Sequence, residues 1–305
     1  KHKLSVNDTI VAMRTHFEGT WFDPSGETRP DVGAGPGRSP YRWRPLVWQN
    51  KETGQHYINE RTVATQQTAW SFVATSRSWM PPPARALQWW APDDSSTAVR
   101  TPVYGGATKV PASFADPVGQ EPASGVPGSV KADAYKMSLE SAFWVWNLVA
   151  NMAYGERYNE IYPAILAEIE SVHTRLFRQV QGMDKEIQEQ YEKDPKSAVR
   201  TLTDFVVSTG ESLTAYWLSF WMRLFARFRD GFTIGPPKQR QCQAGEKKEC
   251  TSRVLPDVQE NGYDTEWYGR IISDGDNQEH YGVPAGASLG EGDLFKLQVI
   301  EKKKH

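Results

Sequence analysis

The chain has 305 residues, 39% of them hydrophobic and 24% charged, enough apolar material for one large core or two closely packed ones. Its 35 Lys and Arg against 37 Asp and Glu give a net charge of −2, which argues against a nucleic-acid surface, because phosphate binding needs a clustered basic surplus. No run of about 18 apolar residues is present, so no membrane-spanning helix is expected.

The chain opens on Lys1 without an initiator Met or a charged-then-apolar leader, which reads as an internal start. Asn7 to Phe17 has the pattern of a short helix, with Asn7 or Asp8 as its cap. Asn7-Asp8-Thr9 is also a formal glycosylation acceptor. Glu18 to Pro45 is rich in Gly and Pro and predicts a long loop, pinned by Trp21, Phe22, Tyr41 and Trp43. Its run Gly33-Ala34-Gly35-Pro36-Gly37 makes no phosphate cradle, since Pro36 removes an amide donor.

Leu46 to Tyr104 predicts four or five antiparallel strands. The first two form a hairpin across Lys51 to Gln55, and later segments are rich in Thr, Val and aromatic residues. Within this run Thr65-Gln66-Gln67-Thr68 puts amides on both faces of an otherwise apolar strand, and any buried amide needs a partner. Arg77 stands at a strand end, where it either binds a carboxylate through both its nitrogens or closes an ordinary salt bridge. Asp93-Asp94 follows two Trp residues and reads as a turn with exposed carboxylates rather than a metal site.

A Pro/Gly/Ser/Ala stretch, Pro111 to Ser129, ends the sheet region. Helix is expected from Ser138 to about Phe232, with a clean stripe of Ile161, Ile165, Ile169, Val172, Leu176 and Val180 and a break at Asp194-Pro195. Asn147 and Asn151 lie one helical turn apart, as hydrogen-bonding groups for a ligand or as helix-packing amides. The tail from Gly231 reads as loop, with a last strand at Leu294 to Ile300 and a solvated basic tip, Lys302 to Lys304. Cys242 and Cys250 suggest a local disulfide in an oxidising compartment. With Asn7 this favours a secreted, lysosomal or vacuolar protein. Segregated strands and helices predict an α+β class, in three parts: 1–130, 131–235 and 236–305.

No GxSxG elbow, HExxH pair or P-loop occurs, and the six His residues have no ligand spacing. Several long segments nevertheless resemble the cysteine dipeptidases of the N-terminal-nucleophile (Ntn) hydrolase superfamily. They are VAMRTHFEGTWFD, YRWRPLVW, YINERTVATQQTAWSFVATSRSWMP, WWAPDDSSTAVRTPVYGG and SAFWVWNLVANMAYGERYNEIYP, in register over roughly residues 5 to 235. The resemblance implies a four-layer αββα sandwich, needing no metal or organic cofactor. In it the thiolate of an N-terminal Cys attacks the amide carbonyl and its own α-amine takes the proton.

Neither Cys242 nor Cys250 has a free α-amine, so the resemblance implies a chain that is the C-terminal portion of a dipeptidase. Its partners are then an upstream chain of the same precursor carrying the nucleophile, a short peptide substrate, and further copies of the processed unit in a homo-oligomer. Gln66, Gln67, Thr68, Arg77, Asn147 and Asn151 are the substrate-binding candidates, and no catalytic residue is assigned on this chain. Two other readings compete: an amidase or acyl transferase of the same fold, and a non-catalytic binding protein using some of its 12 Trp residues as stacking platforms.

Overall fold

A computed structural model describes residues 3–25, 37–41, 47–58, 61–115, 137–155, 157–239 and 254–259. Cys242, Cys250, the strand expected at Leu294 to Ile300 and the basic tip lie outside the described residues. The chain divides into two units, Lys1–Phe225 and Ala226–His305.

The first unit is a mixture of small antiparallel sheets and long helices. Helix α1 covers Val6–Met13 and starts one residue before the expected position. Ser5, not Asn7 or Asp8, is its cap: the Ser5 hydroxyl accepts from the Asp8 amide at 3.2 Å, and the Asp8 carboxylate accepts from the Ser5 amide at 2.7 Å. This reciprocal pair satisfies donors that the first helical turn leaves open. Asn7 is exposed on the first turn.

Strands β1 (Val47–Gln49) and β2 (His56–Ile58) form the expected hairpin. The main sheet has the order β3-β4-β5, all antiparallel, from Trp70–Ser76, Ala86–Pro92 and Thr101–Tyr104. Thr65 to Thr68 is not strand. It is a turn leading into β3, closed by the Thr68 amide on the Thr65 carbonyl at 3.2 Å. Short-range bonds from Thr65 drew it out of the ladder, since its hydroxyl also accepts from the Gln67 amide at 3.2 Å.

The sheet alternates as its period of two requires. Val73, Leu87, Trp89 and Tyr104 are buried on one face, where the Trp89 ring lies 4.4 Å from that of Phe177. On the other face Trp70 and Phe72 stack on each other at 5.6 Å and stay 56% and 43% exposed.

Helix α2 (Ala142–Ala153) is anchored by Trp146, whose indole N–H donates to the Val99 carbonyl at 2.9 Å. Helices α3 (Tyr158–Lys193) and α4 (Pro195–Arg227) form an antiparallel hairpin with Asp194 between them. Asp194 Oδ1 accepts from the amides of Lys196 and Ser197, both at 3.0 Å, and Pro195 takes the first helical position, so one helix stops and the next starts within a residue. The Ile161-to-Val180 stripe is buried throughout. Gly210 sits where a Cβ would come within 2.2 Å of the Pro111 ring, so the α4 backbone runs against the Pro111 turn.

In the second unit the residues after α4 are not all loop. Strands β6 (Thr233–Gln239) and β7 (Val254–Gln259) pair antiparallel, with a register shift between Gly235 and Lys238. Pro236 and Pro237 fall at that irregularity, where missing amide donors are tolerated.

Candidate active site

The richest polar constellation sits where β4 ends. Asp93 leaves the strand with a positive φ of 64°, a conformation Asp tolerates better than most residues, while its amide donates to the Ala69 carbonyl at 2.8 Å. That bond ties Asp93 to the residue after Thr68. The Thr65–Thr68 turn and the Asp93 turn therefore share one end of the sheet.

The two carboxylates are not exposed: Asp93 retains 2% of its accessible surface and Asp94 none. Their burial is possible because neighbours supply donors. Asp94 Oδ2 accepts from the Tyr41 hydroxyl at 2.7 Å, and its Oδ1 accepts from the Ser96 amide at 2.9 Å and the Ser96 hydroxyl at 3.1 Å. Asp93 Oδ2 accepts from Asn147 Nδ2 at 3.0 Å. Asn151 Nδ2 in turn donates to Asn147 Oδ1 at 2.7 Å and to the Asn147 backbone carbonyl at 2.8 Å.

This relay fixes how each amide points. An ionised Asp93 only accepts, so in that state Asn147 offers Nδ2 to it and turns its oxygen outward. Asn151 must then offer Nδ2 inward, which leaves its Oδ1 as the outward group on an exposed residue. The end of the relay presents an acceptor, suited to an ammonium or another N–H donor.

Electrostatics sets the proton positions. Burial pushes Asp93 up to about 7, Asn147 pulls it back, and the Asp94 charge pushes it up further. Burial, then the Asp94 charge, raises the Tyr41 hydroxyl well above its ordinary range. Burial likewise raises Tyr154, with Asp94 and Asp93 next. Tyr41, Tyr158 and Tyr162 stand edge-on around the fully buried His16 at ring distances of 5.3, 6.2 and 6.4 Å. His16 Nδ1 lies 3.1 Å from Glu18, and bonds from His16 and Thr15 hold Glu18 down at about 2 against the raising effect of its burial.

Seven residues beyond Asp93, Arg100 is fully buried, and its guanidinium donates to the Ser71 hydroxyl at 3.1 Å. Its Nε and Nη1 have no partner among the described residues. Burial and then the nearby Arg14 charge lower it to about 10, against the Asp94 charge.

The candidates read from sequence fall into two places. Gln66, Gln67 and Thr68 share the Asp93 end of the sheet with Asn147 and Asn151. Arg77 lies past the other end of β3, where its Nη1 pairs with Asp184 at 2.6 Å, its Nη2 donates to the Ala84 carbonyl at 2.6 Å, and its guanidinium lies over the Tyr104 ring. Seven residues of strand separate the two ends by about 20 Å, whereas an extended dipeptide spans about 7 Å, so one substrate does not touch both.

The sequence reading missed Asp93, Asp94 and Tyr41 as site residues. The one signal was an acidic pair at the end of an aromatic strand, followed by the small residues Ser95 to Ala98, which pack closely. Among the described residues no group of three or more His, Cys, Asp or Glu side chains is placed to hold a metal ion, and no helix is long and apolar enough to cross a membrane. No curated protein matches the chain. The family model described as Peptidase family C69 matches residues 1–170.

Proposed function

The chain belongs to peptidase family C69, the Ntn-type cysteine dipeptidases, and from that membership we propose that it is the larger, C-terminal portion of an enzyme hydrolysing short peptides at the Asp93 end of its main sheet. The attacking thiolate comes from an N-terminal Cys on an upstream polypeptide. Sulfur bonds to the scissile carbonyl carbon and the carbonyl electron pair moves to oxygen. Collapse expels the amine, which takes up the proton held by the nucleophile's α-amine. Water then cleaves the thioester, releasing the acid and restoring the thiol.

Three observations support this reading. Both cysteines of the sequence, Cys242 and Cys250, are internal, so neither carries a free α-amine. Trp70 and Phe72 form an exposed apolar edge of the sheet, while Trp90 beside Phe72 on the same face packs on Phe114 at 4.9 Å, so the β3 side is left open as a layer awaiting further cover would be. The observation that carries the substrate assignment is the Asn151–Asn147–Asp93 relay, whose outward oxygen accepts from the free α-ammonium of a dipeptide. Gln66 and Thr68 stand at the same sheet end as polar neighbours of the peptide. A Cys242–Cys250 disulfide and glycosylation at Asn7 would place the protein in a secretory or lysosomal/vacuolar lumen.

Turnover of Ala-Ala-type dipeptides and their N-acetyl forms tests the assignment, with intact-mass analysis of the purified protein alongside. Free dipeptides should be cleaved at least about ten-fold faster, a difference of about 1.4 kcal/mol, and Asn151→Leu should erase most of that preference. A smaller companion polypeptide beginning with Cys should travel with the chain. Equal cleavage of free and acetylated substrates refutes the relay's role, and full activity of this chain by itself refutes the split nucleophile.

A further inference from the structure

A second polar site lies between α1 and α3, on the buried face of the main sheet. A cavity of about 600 Å³ opens there, lined by Val11 and Arg14 from the first helix and by Glu170, His173, Thr174 and Phe177 along one face of the other. Its floor holds an unresolved conflict between donors. The Arg100 backbone amide donates to His173 Nε2 at 2.9 Å, so that nitrogen carries no proton. The ring proton must then sit on Nδ1, and Nδ1 faces Arg14 Nη2 at 3.4 Å. Two donors oppose each other with no acceptor between them.

Arg14 is only 6% exposed, its Nε has no partner among the described residues, and no carboxylate of those residues lies within ion-pair distance of it. A buried guanidinium without an acceptor is costly, more so beside Arg100. Each of these groups asks for the same thing: an acceptor supplied from the cavity, carrying negative charge and able to bridge a guanidinium and an imidazole N–H. A carboxylate meets that description.

The rim supplies the complement. Glu170 is exposed, its charge is felt at Arg14, and it lies one helical turn before His173. A ligand whose carboxylate meets Arg14 therefore finds an anion for a neighbouring ammonium. Val11 and Phe177 offer apolar surface beside them, and the volume exceeds what a bare inorganic anion needs. We propose that this cavity binds a free apolar α-amino acid, its carboxylate on the Arg14 guanidinium and the His173 Nδ1–H and its ammonium on Glu170.

The assignment goes beyond the peptidase reading and is tested without turnover. Calorimetric titration of the protein as purified, with any polypeptide that accompanies it, uses L-leucine, L-leucinamide and N-acetyl-L-leucine. Leucine should bind, and each derivative, lacking one of the two charges, should bind at least about ten-fold more weakly. Glu170→Gln, at an exposed position, should bring leucine and N-acetyl-leucine to the same affinity. Arg14→Gln should abolish binding. Should Arg14→Gln fail to fold, Thr174→Trp, also exposed and filling the cavity, must abolish it instead. Absence of leucine binding overturns the proposal, and so does binding indifferent to both Glu170→Gln and Thr174→Trp. A protein that binds leucine in this way but cleaves no dipeptide fails the peptidase reading alone.

Discussion

The Asp93-Asp94 turn and the Arg14–Arg100–His173 cluster are charge opposites that meet on one buried segment, which carries both aspartates and Arg100. In the first, two carboxylates are taken out of water, and burial drives Asp93 up to about 7. In the second, two guanidiniums and an imidazole are taken out of water, and burial drives Arg100 down to about 10 and His173 down to about 3. Desolvation is the leading cause in each case and acts against the charged form whichever its sign. The difference is in how they are satisfied. The acidic turn has its donors within the protein: Tyr41, Ser96 and Asn147. The basic cluster has donors facing donors and opens on a cavity. A buried charge already supplied with partners is a positioned element of a site, whereas one lacking them is a receptor for something else.

Removing Asp94 strikes this contrast hardest. Asp94→Ala strands the Ser96 amide without its acceptor, leaves the Tyr41 hydroxyl with the Ser96 hydroxyl in place of the carboxylate, and takes from Arg100 a carboxylate whose field it feels. The expected loss is about 5 kcal/mol in denaturant unfolding, at the upper end for a broken buried charge network. A loss below about 1 kcal/mol would mean that the acidic turn is not internally satisfied, and the contrast would fall.

The next effect carries a sign. In the unfolded chain Asp93 loses its proton near the ordinary carboxylate value of about 4, and in the folded chain near 7. Between those values the folded state binds more protons, so this group's contribution to stability is complete below about pH 4 and is lost as pH rises to about 7. Its size is roughly 4 kcal/mol at most. Asp93→Asn keeps an acceptor for Asn147 and suits the positive φ, so it should flatten this limb and unfold later than the parent at about pH 8. His173 has the reverse sign. Its unfolded pKa is near 6.5 and its folded one about 3, so its contribution is present above about pH 6.5 and is lost as pH falls. Unfolding curves measured across pH separate the two limbs, and a parent whose stability rises between about pH 4 and 7 while the Asp93→Asn curve runs parallel would refute the acidic one.

The fold was more legible than the site. Long periodic signals survived: the Ile161-to-Val180 stripe became the buried face of α3, and Asp194-Pro195 became the cap between two helices. Hairpin chemistry around Gly54 placed β1 against β2 in the same way. The site was hidden because its parts are far apart in sequence and each has an ordinary local reading. Asp93 and Asn147 meet across 54 positions, and Arg100 and His173 across 73. Thr65-Gln66-Gln67-Thr68 looked like strand because its neighbours are apolar, while hydroxyl-to-amide bonds inside the segment favoured a turn. Arg77 was correctly placed at a strand end, yet nothing local revealed Asp184, 107 residues away. Register and helix stripes are written in short-range pattern; the partner of a buried charge is not.

The smallest of these effects tests whether the two clusters move independently. Ser5 caps the first helix through its paired bonds with Asp8, and Arg14 closes the other end of the same helix. Ser5→Ala removes the hydroxyl acceptor and should cost about 1 kcal/mol. The helix supplies one wall of the Arg14 cavity and meets the acidic turn at its far end, where the Met13 carbonyl accepts from the Ser95 hydroxyl at 2.6 Å, so fraying that starts at Ser5 should be felt on the basic side first. Hydrogen exchange reads this directly: amides of the first helix should exchange faster, while the Asp93 amide bound to Ala69 and the Ser96 amide bound to Asp94 should keep their protection. Equal acceleration at Ser96 would show that acid and base clusters open as one cooperative unit, in which case a ligand seated on Arg14 would also stiffen the Asn151 relay.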